Sequence, residues 1–208
     1  MEIKQGDKFQ IMKKVTLAAL LFLGFSTIVM AQDKPKAEVF GGYSYLHTSD
    51  NGFSTNFNGA SGSVAINANE WFGVVGDFGY YHASPDISAI AVVLPGVNGS
   101  ASLNTFSFLF GPKIAMRGNE KFTPFAQALF GGAHQTTSLD VTGFPSTSTS
   151  ETAFAMALGG GFDVKVAKSV AIRLVQAEYV LTKFNDGANN RQNSVRISTG
   201  LVFRFGQH

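Results

Sequence analysis

The sequence predicts an all-β chain: an eight-stranded antiparallel up-and-down transmembrane β-barrel with short periplasmic turns and longer extracellular loops. Three observations predict it. Apolar residues recur with period two through eight segments of roughly ten residues. Short and long connections alternate between those segments. The large apolar side chains share a face opposite the charged ones, the reverse of a water-soluble barrel.

The composition agrees. Of 208 residues, 45% are apolar and 14% charged, against about a quarter charged in a soluble domain. The aromatic and β-branched content is too high for a disordered chain. The absence of cysteine excludes disulfide scaffolds, cysteine zinc sites and thiol catalysis.

The leader is read first. Lys13 and Lys14 follow Met12, an apolar run extends from Val15 to Met30, and Val29 and Ala31 place small residues at a cleavage site. This is the pattern of a cleaved signal peptide over residues 12–31, with 1–11 an upstream extension and 32–208 the barrel domain. The competing reading is an uncleaved anchor, which Thr16, Gly24, Ser26 and Thr27 weaken. The leader holds four lysines (Lys4, Lys8, Lys13, Lys14) and two acids (Glu2, Asp7), leaving 12 of 16 basic and 12 of 14 acidic residues. The formal +2 therefore belongs to the leader. Nothing basic remains as a nucleic-acid footprint.

The strands follow in order. The first is read near 37–47, with Val39, Tyr43 and Tyr45 opposite Glu38, Gly42 and Ser44. The second, 59–67, sets Val64 and Ile66 against Ser61 and Ser63. The third, 71–82, sets Phe72, Val74, Phe78 and Tyr80 against Gly73, Asp77 and Gly79. The fourth, 103–115, sets Phe106, Phe108, Phe110 and Ile114 against Ser107, Gly111 and Lys113. In the fifth, 122–133, Gln127 argues that Phe125 and Leu129 point inward, yet the Pro124, Ala126, Ala128, Phe130 face is only mildly apolar. The sixth, 153–166, sets Phe154, Leu158 and Phe162 against Asp163 and Lys165. The seventh, 170–182, sets Val175, Ala177, Tyr179 and Leu181 against Gln176 and Glu178. The last, 194–205, sets Ile197, Leu201, Phe203 and Phe205 against Arg196, Gly200 and Arg204.

The short links are Ala68–Glu70, Met116–Lys121 and Ala167–Ser169. The long ones are 48–58, 83–102, 134–152 and 183–193. Tight turns at one rim and longer loops at the other are what a membrane barrel needs.

Eight charges fall on the inward face: Glu38, Asp77, Asp163 and Glu178, with Lys113, Lys165, Arg196 and Arg204. They sum to zero. Buried charges must be paired, so they are read as a salt-bridge network filling a narrow lumen. Its many glycines make room for these long side chains. An acid–base or ion-conducting site is the sharper alternative.

Three segments carry a family resemblance. Glu38–Tyr45, Val175–Thr182 and the terminal Gly200-Leu201-Val202-Phe203-Arg204-Phe205 resemble strands of the small bacterial outer-membrane β-barrel family typified by the OmpA transmembrane domain and OmpX. The resemblance implies an outer-membrane location. It also implies that Gly200, Phe203 and Phe205 form the signal read by the barrel-assembly machinery. Val180 stands where the family often has a basic residue, and Gly206-Gln207-His208 follow the final aromatic, where the family often ends.

No Walker A, GxSxG, HExxH or EF-hand pattern is present, and no cofactor or metal site is expected. His47, His82 and His134 fall near the outer ends of strands, with His208 at the terminus. A rim metal cluster is weighed against plain interfacial polar residues, and the latter is favoured. His134, Ser138 and Glu151 are the one foothold for a lipid-modifying enzyme, and their spacing matches no hydrolase pattern. Expected partners are outer-membrane lipid, lipopolysaccharide, the assembly machinery, and an extracellular ligand at loops 83–102 and 134–152. The sequence thus points to a structural or surface-interaction role, ahead of a narrow gated channel, and then of an enzyme.

Overall fold

The structure, a computed structural model, describes residues 34–50, 53–85, 99–119, 121–141, 143–183 and 191–206. The leader, the apolar stretch Ile87–Val97 and His208 lie outside the described residues.

Eight strands follow one another: β1 (Ala37–Asp50), β2 (Phe53–Asn67), β3 (Phe72–Ala83), β4 (Gly99–Ala115), β5 (Phe122–Val141), β6 (Thr147–Ala167), β7 (Val170–Lys183) and β8 (Gln192–Phe205). Each pairs antiparallel with its neighbours, and β8 returns to β1 to close the barrel. The strands are staggered around the barrel. From Val39 the path runs through Val64, Gly76, Phe110, Phe130, Met156, Leu181 and Asn193, and returns to β1 at Ser49. The shear is therefore ten residues, from 39 to 49. With eight strands this tilts them about 40° and gives a backbone cylinder about 16 Å across.

The strands run longer at one end than the hydropathy pattern indicates. Residues 48–58, read as a connection, are mostly strand, with pairing up to Asp50↔Phe53. Residues 134–152, also read as a loop, are largely the continuation of β5 and β6, paired to Leu139↔Thr147. The reason is physical. Beyond the lipid both faces of a strand meet water, so Ser and Thr occupy both and the alternation disappears. Thr136 Oγ1 and Ser150 Oγ still bond across this ladder at 2.9 Å.

The opposite rim is made by tight turns. Two share the sequence Asn-Glu-X-Phe, at 69–72 and 119–122. Asn69 Oδ1 accepts from the backbone N–H groups of Trp71 and Phe72 at 3.0 and 2.7 Å. Asn119 Oδ1 accepts from those of Lys121 and Phe122 at 2.8 and 3.2 Å. Each Asn side chain satisfies the donors that the chain reversal leaves open.

Large apolar residues cover the outside, among them Val39, Val64, Phe78, Phe106, Phe108, Phe110, Leu158, Ile197 and Phe203. Trp71, Met116, Phe122 and Phe205 ring the short-turn rim. In β5, Phe125, Gln127 and Leu129 are buried inside, which settles that strand's faces. Several glycines are required where neighbouring strands press together. At the β1–β8 seam Gly42 faces Gly200, and a Cβ on Gly42 would strike the Thr199 carbonyl.

Candidate functional site

The lumen holds four buried carboxylates and five buried cations: Glu38, Asp77, Asp163 and Glu178 with Lys113, Arg117, Arg173, Arg196 and Arg204. They form two connected clusters. Near the short-turn end, Glu38 meets Lys113 at 2.7 Å, Arg117 at 3.3 Å and Arg204 at 3.5 Å. Arg204 also lies 3.9 Å from Asp163, which receives two hydrogen bonds from Arg173 at 2.8 and 3.2 Å. Higher up, Arg196 donates to Asp77 and Glu178, each at 2.7 Å, and to the Tyr81 hydroxyl at 3.0 Å. Glutamines complete the set. Gln127 and Gln176 each donate to Glu178 at 2.8 Å. Arg173 donates to Gln176 at 2.6 Å, so the two clusters form one chain of polar contacts.

Seven of the eight charges read from the sequence lie in this network. Lys165 does not. It is half-buried and forms no ion pair among the described residues, because register shifts on either side of 163–165 break the parity of β6. Two cations replace it. Arg117, from the β4–β5 turn, folds back under the mouth and donates to the Glu70 carbonyl and to Asn67 Oδ1, at 2.7 and 2.9 Å. Arg173 points inward because of a bulge before Gln176. The bulge places Leu174 outside and leaves the Arg173 carbonyl to accept from Thr199 Oγ1 at 2.9 Å. The Arg173 guanidinium lies between the Phe40 and Phe125 rings, 4.3 Å from each centroid, which shields it without removing its charge.

The inward face is not only small or charged, as the sequence suggested. Towards the long-strand end, Leu46, Phe57, Leu109, Leu129 and Val180 are buried inside and Leu103 packs against them. The ionic network is thus capped by an apolar layer. Tyr81 spans the two, its phenol folded over Gly79, where a Cβ would strike its hydroxyl.

Beyond the apolar cap, β4, β5 and β6 continue as a three-stranded sheet. Its register runs from Gly99↔Val141 to Thr105↔Gln135 on one side and from Gln135↔Glu151 to Leu139↔Thr147 on the other. Pairing of β6 with β7 starts only at Phe154↔Lys183. Among the described residues, Thr147–Ser150, Thr152 and Ala153 pair with no strand on that side.

His134, Ser138 and Glu151 do not assemble. His134 Nδ1 bonds Thr152 Oγ1 at 2.8 Å, and Glu151, opposite Gln135 in register, lies on the other face of the sheet. Among the described residues no group of three His, Asp or Glu could hold a metal ion. Phe203 and Phe205 stand exposed on the outside of β8.

Comparison with known proteins places these features in a family. The family model described as "Outer membrane protein beta-barrel domain" matches residues 17–205, nearly the whole chain, and the chain belongs to that family. It is similar in fold to Ail, the attachment invasion locus protein of Yersinia pestis, solved with the heparin analogue sucrose octasulfate. The identity is 20%, over 83% of this chain and 99% of that one, with a TM-score of 0.60. It is also similar to Neisserial surface protein A, with 14% identity over 82% and 97% of the two chains and a TM-score of 0.54. A comparison with curated proteins finds no match.

Proposed function

We propose that this outer-membrane barrel is a closed scaffold that presents the β4–β6 sheet at the cell surface for interaction with an extracellular partner. The short turns then face the periplasm. The observation that carries this reading is the sheet itself. By the strand geometry it rises roughly 15 Å above the lipid-facing belt, and the edge of β6 is a run of hydroxyl side chains, Thr147–Ser150 and Thr152. The outer edge of such a sheet, which pairs with no other strand among the described residues at Thr147–Ser150, offers backbone N–H and C=O groups to an extended segment of another protein.

The Ail structure holds a heparin analogue. Here Asp140 and Glu151 lie on the protruding strands, and acidic groups suit a sulfated polysaccharide poorly. A polypeptide added along the edge suits it better. The apolar cap over the paired network supports a closed lumen rather than a channel, and the separation of His134 from Glu151 supports a role without catalysis. Export by the 12–31 signal, insertion through Gly200, Phe203 and Phe205, and lipopolysaccharide around the barrel belong to the same reading.

The test replaces residues 138–149 by a two-residue turn. The expected result is a barrel that still migrates fast on unboiled gels, while cells displaying it lose adhesion to immobilised extracellular-matrix protein. Unchanged adhesion would overturn the proposal.

A further inference from the structure

A side-chain pattern recurs at the outer rim, complete in two hairpins and partial in the other two. On β1, Tyr45 and His47 point outward, and Asn56 lies directly opposite His47 on β2. Asn56 Oδ1 accepts from the Tyr45 hydroxyl at 2.8 Å and from His47 Nδ1 at 2.6 Å. On β3 and β4 the same atoms recur. Asn104 Oδ1 accepts from the Tyr80 hydroxyl at 2.9 Å and from His82 Nδ1 at 2.8 Å. On β5 and β6, His134 Nδ1 bonds Thr152 Oγ1. On β7 and β8, Tyr179 bonds Asn193, but Leu181 occupies the histidine position, opposite Asn193.

The register puts these groups at one level. Correcting for the climb of the rows, His47, His82, His134 and Leu181 lie within about 4 Å of a common height, roughly 25 Å above the short-turn aromatic ring. That is the height of the apolar band of an outer-membrane barrel. The ring therefore marks where acyl chains end and headgroups begin.

The hydrogen bonds fix the chemistry. An Asn Oδ1 only accepts, so His47 and His82 carry hydrogen on Nδ1. Their Nε2 atoms lie on the outward side of the clasp, away from the Asn. The His82 one lies 3.1 Å from Ser84 Oγ; those of His47 and His134 have no partner among the described residues. A proton on Nε2 makes such a ring a donor at both nitrogens, with a positive charge. Lys183 is exposed opposite Phe154, and Arg191 is exposed just before β8. No described carboxylate shares the outward face at this level. The charge of the ring is thus complementary to anions.

We propose that His47, His82 and His134, each held by its Asn or Thr partner, form a collar that binds the phosphate groups of the outer-leaflet glycolipid through Nε2. This rests on the outer-membrane reading and gives it a specific lipid contact.

The test uses the mature barrel in phosphatidylcholine nanodiscs containing a minor fraction of bisphosphorylated lipid A, or of the same lipid without phosphates. Retained glycolipid is counted by native mass spectrometry, and contact at the rings is followed by nitrogen-15 shifts. Lipid A with phosphates should be retained preferentially, and the Nε2 resonances of the three rings should shift when it is added. The triple variant His47→Gln, His82→Gln, His134→Gln should lower retention about tenfold, the order expected for three exposed ionic contacts. Leu181→His, which completes the fourth clasp, should raise it severalfold. Equal retention of the dephosphorylated lipid, or a triple variant that folds and retains lipid A as before, would overturn the collar while leaving the barrel reading intact. A chain that shows no heat-shifted band in nanodiscs would overturn the barrel reading, and the collar with it.

Discussion

Arg196→Met is the most demanding test of the lumen network. Arg196 is fully buried and donates to Asp77, Glu178 and Tyr81. Methionine keeps most of the stem and removes the charge and donors. The two carboxylates are not affected alike. Glu178 keeps Gln127 and Gln176, each at 2.8 Å. Asp77 loses its hydrogen bond through Oδ1, and its Oδ2 has no partner among the described residues. Stranding one partner of a buried pair costs 3–5 kcal/mol in general, so a loss of about 4 kcal/mol is expected, nearly a thousandfold in the folding equilibrium. The double variant Asp77→Asn, Arg196→Met removes the stranded charge and should recover more than half of that loss. Trp71, the only tryptophan of the chain, lies exposed at the short-turn rim, where its fluorescence reports departure from lipid. Urea titration of the barrel in vesicles supplies the free energies. An Arg196→Met barrel that unfolds within about 1 kcal/mol of the parent, or a double variant no more stable than the single one, would refute a paired network in the lumen.

Gly42→Val should abolish the fast-migrating band on unboiled gels, because its Cβ would overlap the Thr199 carbonyl; Gly76→Ala, with no atom within 4 Å of the added carbon, should leave the band unchanged. Thr199→Val should cost about 1 kcal/mol in the same urea titration by leaving the Arg173 carbonyl unpaired, and Thr199→Ser should restore it. In planar bilayers the parent should show no stable conductance steps, and Arg196→Met should show none either, because Leu46, Phe57 and Leu129 still close the lumen above it; steps in the parent would favour the channel reading.

The fold was legible because lipid writes its constraint twice. It demands an apolar face on every crossing strand, and it demands closure, which leaves no strand edge in the membrane. Phe106, Phe108 and Phe110 show the first without ambiguity. Where lipid ends, so does the signal. The sheet above the rim carries Thr136, Ser138, Ser148 and Ser150 as paired strand residues, yet hydroxyls on both faces read as loop. One local cue was present all the same. Asn51-Gly52 lies between the paired ends of β1 and β2, and that dipeptide is the commonest two-residue hairpin signal. The clasps at the rim were equally hidden, since no hydropathy pattern relates His47 to an asparagine on the next strand.

The network was less legible than the barrel because bulges in β6 and β7 interrupt the inward parity. Counting back from Glu178 by twos puts Arg173 on the lipid side. That placement is costly, since an arginine facing lipid costs up to about 2–4 kcal/mol, depending on depth. The sequence between the two polar residues shows the way out. Arg173 and Gln176 are separated by Leu174 and Val175, two apolar residues in succession. If both polar residues face the lumen, one residue too many lies between them, and a bulge must absorb it. The structure places its register shift there and supplies Thr199 to satisfy the carbonyl that the bulge releases. A charge on the wrong face is thus itself evidence for a bulge, and it argues that the lumen pairing of Arg173 with Asp163 compels the irregularity of β7.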